Sequence, residues 1–233
     1  MRRPVCELTL AQLRDHYGYA LIAEDEPVAA TLPLLQDVIR WAHGKPTLKA
    51  VFLDCKVPPA QKELVRVIAR ELQKELARTP TNATFVFLTP HAEVLEEMKA
   101  VVPAETRSFD VEIPAGWFPD IRRLSAVERA RASGNLWSSI GRPVFTVGGW
   151  RSYRKRILED LESIRDTPVS PTAPRIPSHY VCWTINRRRE MRHLLRMGVT
   201  GILTDFTKEL RDLVTKAAAK PAARSLRRPP LGA

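Results

Sequence analysis

A chain of 233 residues with 44% hydrophobic content is long enough for one large domain with a sizeable core. Its net charge of +11 argues for an acidic partner (a phosphate substrate, an anionic membrane surface or nucleic acid), against the plain alternative of a solvated basic surface and tail. Cys6, Cys55 and Cys182 contain no C-x-x-C pair and are odd in number, so neither a zinc site nor a disulfide framework is indicated, and a reducing cytoplasm is the natural setting. Met1-Arg2-Arg3 is not followed by an apolar core, which argues against a secretory signal, and no apolar run approaches the ~20 residues of a membrane span.

Two segments of helical pattern come first, Leu8–Tyr17 and Leu32–His43, the second carrying Leu34, Leu35, Val38, Ile39 and Trp41 and ending at Gly44, a candidate C-cap. From Lys49 onward strands and helices alternate. Leu48–Cys55 is a short apolar run that reads as a buried strand, and Pro58-Pro59 opens a long helix to about Arg78 with Leu64, Val65, Ile68, Leu72 and Leu76 at helical spacing. Ala83–Leu88 predicts a second strand with its helix at Ala92–Val101, and Arg107–Ile113 a third. A loop containing Pro, Gly and Trp at 114–120 leads to a helix around Ser125–Ala132. Val144–Val147, ended by Gly148-Gly149, predicts the fourth strand, with a helix from Arg151 to about Arg165. The four prolines of 166–177 mark a loop. Tyr180–Ile185 and Ile202–Thr204 are the fifth and sixth strands, each followed by a helix.

Six such units argue a parallel sheet covered by helices, with strands apolar throughout because both faces are buried. Residues 220–233 mix Pro, Ala and Arg with few apolar residues and read as a disordered basic tail, which gives an expected division into a domain at 1–218 and a tail at 219–233.

The most informative stretch is Cys182-Trp183-Thr184-Ile185-Asn186 followed by Gly198-Val199-Thr200-Gly201-Ile202-Leu203-Thr204-Asp205, a strand, helix and strand within about 25 residues. It resembles the closing signature of the glycerophosphodiester phosphodiesterase family, a W-T-x-N strand and then a G-V-D-G-I-x-T-D strand. Asp54-Cys55-Lys56 is similar to the family's strand ending E-x-K, with Asp for Glu, and Thr31-Leu32…Val38 looks like the T-L-x-x-x-L helix leading into it. The resemblance covers most of residues 7–215 and aligns the six strands with the family's third to eighth. It implies an α/β, TIM-barrel-like (β/α) fold, incomplete at about six of eight strands. It also implies metal-dependent hydrolysis of glycerophosphodiesters to an alcohol and glycerol 3-phosphate, with Mg or Ca as cofactor.

The family's opening H-R-G strand and E-x-D strand, with its following H-D, are not found ahead of Asp54. Those supply acid/base histidines and two metal carboxylates. Glu24-Asp25-Glu26 is acidic but lies in a loop pattern and is not promoted to a metal site. The expectation is a chain truncated at its start, by annotation or gene decay, or one in which something else fills the gap. Either way it is weak or inactive as it stands; the rival is a non-catalytic barrel remnant that holds phosphate or anionic lipid.

In a parallel barrel the working residues sit where strands end. That rule selects Asp54 and Lys56, Thr89 and His91, Asp110 and Glu112, Trp150 and Arg151, Trp183 and Asn186, and Asp205. By resemblance Asp54 is the metal ligand, Lys56 the catalytic, phosphate-proximal lysine, and Trp183 the substrate-binding wall. Each has a plainer reading: Asp54 pairs with Lys56 or caps a helix, Lys56 is solvated, and Trp183 is a buried structural tryptophan. Asn186 reads as the cap of the helix starting at Arg187. His91 is a lone loop histidine at the correct face for a replacement acid or base, and Asp205 fixes the last turn. Arg151, Arg154, Lys155 and Arg156, and likewise Arg187-Arg188-Arg189 with Arg192, read as charged helix faces or as phosphate contacts. The expected partner is a small phosphodiester. The basic tail (Lys216, Lys220, Arg224, Arg227, Arg228) adds a candidate contact to an anionic membrane. Nucleic acid is disfavoured because aromatics are 7% and do not interleave with the basic runs.

Overall fold

The computed structural model describes residues 7–16, 19–20, 27–28, 32–111, 125–142, 149–167 and 176–218. Contacts divide the chain into two compact units, one of residues 1–51 and 68–84, the other of 52–67 and 85–233.

The first unit begins with helix α1 (Leu10–His16) and a two-residue antiparallel ladder, β1 (Tyr19–Ala20) on β2 (Pro27–Val28). Helix α2 (Leu35–His43) follows, and its entry is fixed by Asp37, whose carboxylate accepts the Leu34 backbone N–H at 2.8 Å. That bond, helped by Arg40, holds the Asp37 carboxyl below its ordinary value. Ile39 and Ala42 bury the inner stripe of α2, as the helical pattern requires, whereas Trp41 is 54% exposed. Gly44 occupies the C-cap, but with φ −73° it needs no left-handed freedom. The unit also holds most of α3 (Leu64–Arg78), with Ala69 and Leu72 buried.

Six strands form one sheet in strict chain order: β3 (Ala50–Asp54), β4 (Thr84–Thr89), β5 (Arg107–Val111), β6 (Trp137–Gly141), β7 (His179–Trp183) and β8 (Gly201–Ile202). A helix stands between each strand and the next, which is how parallel strands must be joined. They are α3, α4 (Ala92–Lys99), α5 (Ala126–Ser133), α6 (Gly149–Asp166) and α7 (Arg188–Met197), with α8 (Thr207–Ala218) after β8. The pairs from β4 to β8 are parallel in register. This is an α/β fold consistent with an incomplete TIM barrel. Among the described residues no helix is long and apolar enough to cross a membrane.

The second unit's core comes from the strands and the inner helix stripes, with Val86, Val94, Met98, Ile140, Ile157, Val181, Met191 and Leu194 almost fully buried. One buried charge organises it. Asp160 on α6 accepts from the Ser125 hydroxyl at 2.6 Å, the Ala126 N–H at 3.2 Å, Arg156 at 2.7 Å and the Tyr180 hydroxyl at 2.8 Å. It thereby ties the N-cap of α5 to β7 through one carboxylate.

One strand differs from the sequence expectation. The strand between β5 and β7 is Trp137-Ser138-Ser139-Ile140-Gly141, and Val144–Val147 lies outside the described residues. Two serines and a glycine carry little hydrophobic or β-forming signal. They are accommodated because Ser138 donates to the His179 carbonyl and Ser139 to Asp110. The other helices and strands fall where periodicity puts them, with ends moved by a few residues, as in β8, shorter than Ile202–Thr204.

Candidate functional site

A cavity of about 360 Å³ opens in the second unit, lined by Phe52, Asp54, Lys56, Leu88, Asp110, Trp183, Thr184 and Leu203. Most of these lie at the C-terminal ends of strands or just beyond, where a parallel barrel presents its chemistry. Asp54 and Lys56 line this one space together with Asp110 and Trp183, both distant from them in sequence.

Strand alternation decides which side chains reach it. Asp54 and Lys56 line the cavity, while Cys55 between them is buried and donates its N–H to the Leu88 carbonyl at 2.9 Å. Burial, with Asp54 beside it, pushes the Cys55 thiol up to about 11. Cys182, on the buried side next to Trp183, is pushed by burial up to about 12. Both are free thiols, inert as nucleophiles at neutral pH; Cys6 lies outside the described residues.

Lys56 Nζ stands 3.4 Å from Asp54 Oδ2, with side chains 70% and 53% exposed. The plain pairing of the two is therefore realised within the cavity wall. Trp183 is half-buried and serves as both wall and structural element. Its indole N–H donates to Ser139 Oγ at 2.8 Å, and the same hydroxyl donates to Asp110 Oδ1. Gly141, paired with Trp183 across β6 and β7, leaves room for the ring; a Cβ there would lie 2.7 Å from the indole. Asp110 is only 8% exposed.

The closing motifs hold one another. Asn186 does not cap α7, whose N-cap is Arg187 without a side-chain bond. Instead Asn186 Nδ2 donates to Asp205 Oδ2 at 2.6 Å, and its Oδ1 accepts the Asp205 N–H at 3.0 Å and the Thr204 hydroxyl at 3.1 Å. The W-T-x-N asparagine thus clamps the T-D pair and joins the ends of β7 and β8. The local turn bond belongs to Thr204, which accepts from Phe206 N–H at 3.0 Å.

Other candidates stand apart from the cavity lining. Thr89 is fully buried and accepts the His91 N–H at 3.2 Å, and His91 begins α4 without a side-chain cap bond. Trp150 packs on Tyr153 at 5.9 Å. Glu112 lies outside the described residues. Ser139 and Gly141 went unnoticed in the sequence because their strand did; the unassigned stretch between the helix ending near Ala132 and the strand expected at Val144–Val147 was the signal that a strand belonged there.

The described residues do not fit a resident divalent cation. They contain no group of three His, Cys, Asp or Glu side chains able to hold one. Asp54 already faces the Lys56 ammonium, and one oxygen of Asp110 is taken by Ser139. A hard cation asks for six or more oxygens. What remains is a cavity lined by one lysine, two carboxylates and an indole wall.

No protein-family model matches the chain, and no curated protein sequence does. Solved structures do. A protein of Silicibacter pomeroyi DSS-3 assigned as a glycerophosphoryl diester phosphodiesterase is 18% identical with a TM-score of 0.65, over 94% of this chain and 71% of its own. An Oleispira antarctica phosphodiesterase, solved with the product sn-glycerol-3-phosphate, is 16% identical with a TM-score of 0.55, over 79% of this chain and 62% of its own. A glycerophosphodiester phosphodiesterase of Parabacteroides distasonis ATCC 8503 is 15% identical with a TM-score of 0.55, over 90% of this chain and 72% of its own. The chain therefore has the fold of glycerophosphodiester phosphodiesterases and spans between 62% and 72% of the length of these three.

Proposed function

We propose that this is a glycerophosphodiester phosphodiesterase-like protein whose cavity binds a small phosphodiester, with Lys56 at the phosphate and Trp183 against the organic portion. The observation that carries the reading is the meeting of Asp54, Lys56 and Trp183 around one cavity in this fold. The family chemistry, metal-dependent release of an alcohol and glycerol 3-phosphate, needs an acid/base pair and several oxygen ligands. The described residues offer Asp54 and Asp110 alone in the cavity, so turnover by this chain is slow or absent. The same scarcity favours the second reading, a protein that holds its phosphate ligand without cleaving it. A cytoplasmic setting suits the free Cys55 and Cys182.

The test has two arms on the full chain. In calorimetric titration with sn-glycerol 3-phosphate and glycerophosphocholine, binding is expected in the parent and at least about tenfold weaker in Lys56→Ala, since a hydrogen bond to a charged group contributes roughly 1.5–3 kcal/mol. No binding in the parent sinks the assignment. In the second arm, release of glycerol 3-phosphate is followed with and without added Mg²⁺ or Ca²⁺, in the parent and in Asp54→Ala. Metal-dependent turnover abolished in Asp54→Ala supports the hydrolase; binding without turnover supports the non-catalytic reading.

A further inference from the structure

We propose that the outward face of α7, with the adjoining start of α6, docks the protein on a bilayer carrying anionic phospholipids. Helices elsewhere in this chain interleave their charges: Arg40 with Asp37 at 2.5 Å, Lys74 with Glu71 at 3.5 Å, Arg78 with Glu75 at 2.9 Å, Lys99 with Glu96 at 2.6 Å, and Lys155 with Glu159 at 3.8 Å. Helix α7 does not. At about 100° per residue, Arg188, Arg189, Arg192 and Arg196 fall in a single outward sector, and all four are exposed. Among the described residues none of the four has an ion-pair or hydrogen-bond partner. The helix's one acid, Glu190, is buried on the opposite side with Met191 and Leu194 and takes Arg142 at 2.9 Å.

Arg188 and Arg192, then Arg192 and Arg196, are like charges at i,i+4, an arrangement that destabilises a helix in isolation. An external anionic surface removes that penalty. The face continues onto α6, where Arg154 Nη1 lies 3.2 Å from His193 Nε2 of α7 and the Trp150 ring stands edge-on to His193 at 6.2 Å. Arg151 beside them is exposed and, among the described residues, likewise unpaired.

Two features select the partner. The permanently charged bases of α7 are all arginine, whose planar fork takes two oxygens of one phosphate. The stretch from Arg188 to Arg196 covers about 12 Å, enough to meet more than one headgroup. Beside these charges, one turn beyond Arg154 on the same helix side, Leu158 is 43% exposed, and Trp150 is half-buried. A leucine and a tryptophan next to arginines suit the headgroup–acyl boundary. A single-stranded nucleic-acid site would instead set exposed aromatics among the arginines for base stacking; α7 has no Phe, Tyr or Trp, and Trp150 beside it is half-buried and packed on Tyr153 and His193.

The test is co-sedimentation of the full chain with phosphatidylcholine vesicles, with and without phosphatidylserine, at low and high salt. The protein is expected to pellet with the phosphatidylserine vesicles and to release as salt rises. Replacing Arg188→Gln, Arg192→Gln and Arg196→Gln together should weaken binding on the order of a hundredfold, at roughly fivefold per arginine. The same variant should unfold at or above the parent's temperature, since repulsion is relieved, which shows that the loss is not misfolding. Replacing Arg224→Gln, Arg227→Gln and Arg228→Gln in the tail should leave most binding intact. Undiminished binding by the α7 variant, loss confined to the tail variant, or equal pelleting with phosphatidylcholine alone each overturns the proposal. So does tighter binding to duplex DNA than to phosphatidylserine vesicles, which would assign the face to nucleic acid.

Discussion

Replacing Gly141→Ala tests whether the indole wall of the cavity is held from both sides. The added Cβ would sit 2.7, 2.9 and 3.0 Å from Cη2, Cζ2 and Cζ3 of Trp183, against an ordinary carbon contact of about 3.5–4.0 Å. The ring must therefore retreat by about 1 Å. It has little freedom to do so, because its N–H is bonded to Ser139 Oγ at 2.8 Å and the Trp183 carbonyl accepts the Arg142 N–H. Overpacking of this kind costs typically 1–3 kcal/mol, and a displaced hydrogen bond about 1 kcal/mol more. A loss of about 2–4 kcal/mol corresponds, for a chain of this size, to a fall in Tm of roughly 4–16 °C. Thermal unfolding followed by circular dichroism measures it, alongside titration with sn-glycerol 3-phosphate, which should weaken as the wall shifts. The control is Trp183→Leu, with and without Gly141→Ala: once the indole is gone the alanine should cost less than about 0.5 kcal/mol, so the two changes are strongly non-additive. Unchanged stability in Gly141→Ala, or additivity in the double variant, would refute the packing argument.

Other consequences follow from buried polar groups in the second unit. Asp160→Ala removes the acceptor shared by the Ser125 and Tyr180 hydroxyls, the Ala126 N–H and one Arg156 nitrogen, and chemical denaturation should report a loss of about 3–5 kcal/mol; a loss under 1 kcal/mol would mean the four bonds are weak or replaced by water. His179 stacks on Trp137 with ring centroids 3.9 Å apart, and desolvation holds its pKa below 6.5. The folded state then binds fewer protons there than the unfolded one, so this histidine's contribution to stability falls as pH drops below about 6.5. In His179→Gln that part of the pH dependence should vanish, and an unchanged profile in unfolding titrations across pH 5–8 would show that the stacked ring does not titrate differently on folding. Cys182, with its thiol raised by burial, should resist alkylation at pH 8 until denaturant is added, and rapid labelling of the native protein, read by mass spectrometry, would contradict its placement in the core.

The alternation of elements is legible in the order of residues alone. Apolar runs of strand length separated by helical periodicity leave a parallel sheet as the way to bury both faces, and the strand-end rule then picked out Asp54, Lys56, Asp110 and Trp183 before any coordinates. Where the local signal is absent, long-range contacts set the outcome. Trp137–Gly141 is a strand because its neighbours on both sides supply the hydrogen bonds and its serines find partners on other strands, at Asp110 and His179. Asn186 looked like a helix cap from its position, yet its partners lie 18 and 19 residues away, since the nearest unsatisfied groups in space belong to the β8 turn. The solitude of the α7 arginines is likewise invisible in a string of letters, where Glu190 appears to balance them. Only the fold turns that carboxylate inward to Arg142 and leaves the outer face with one sign of charge.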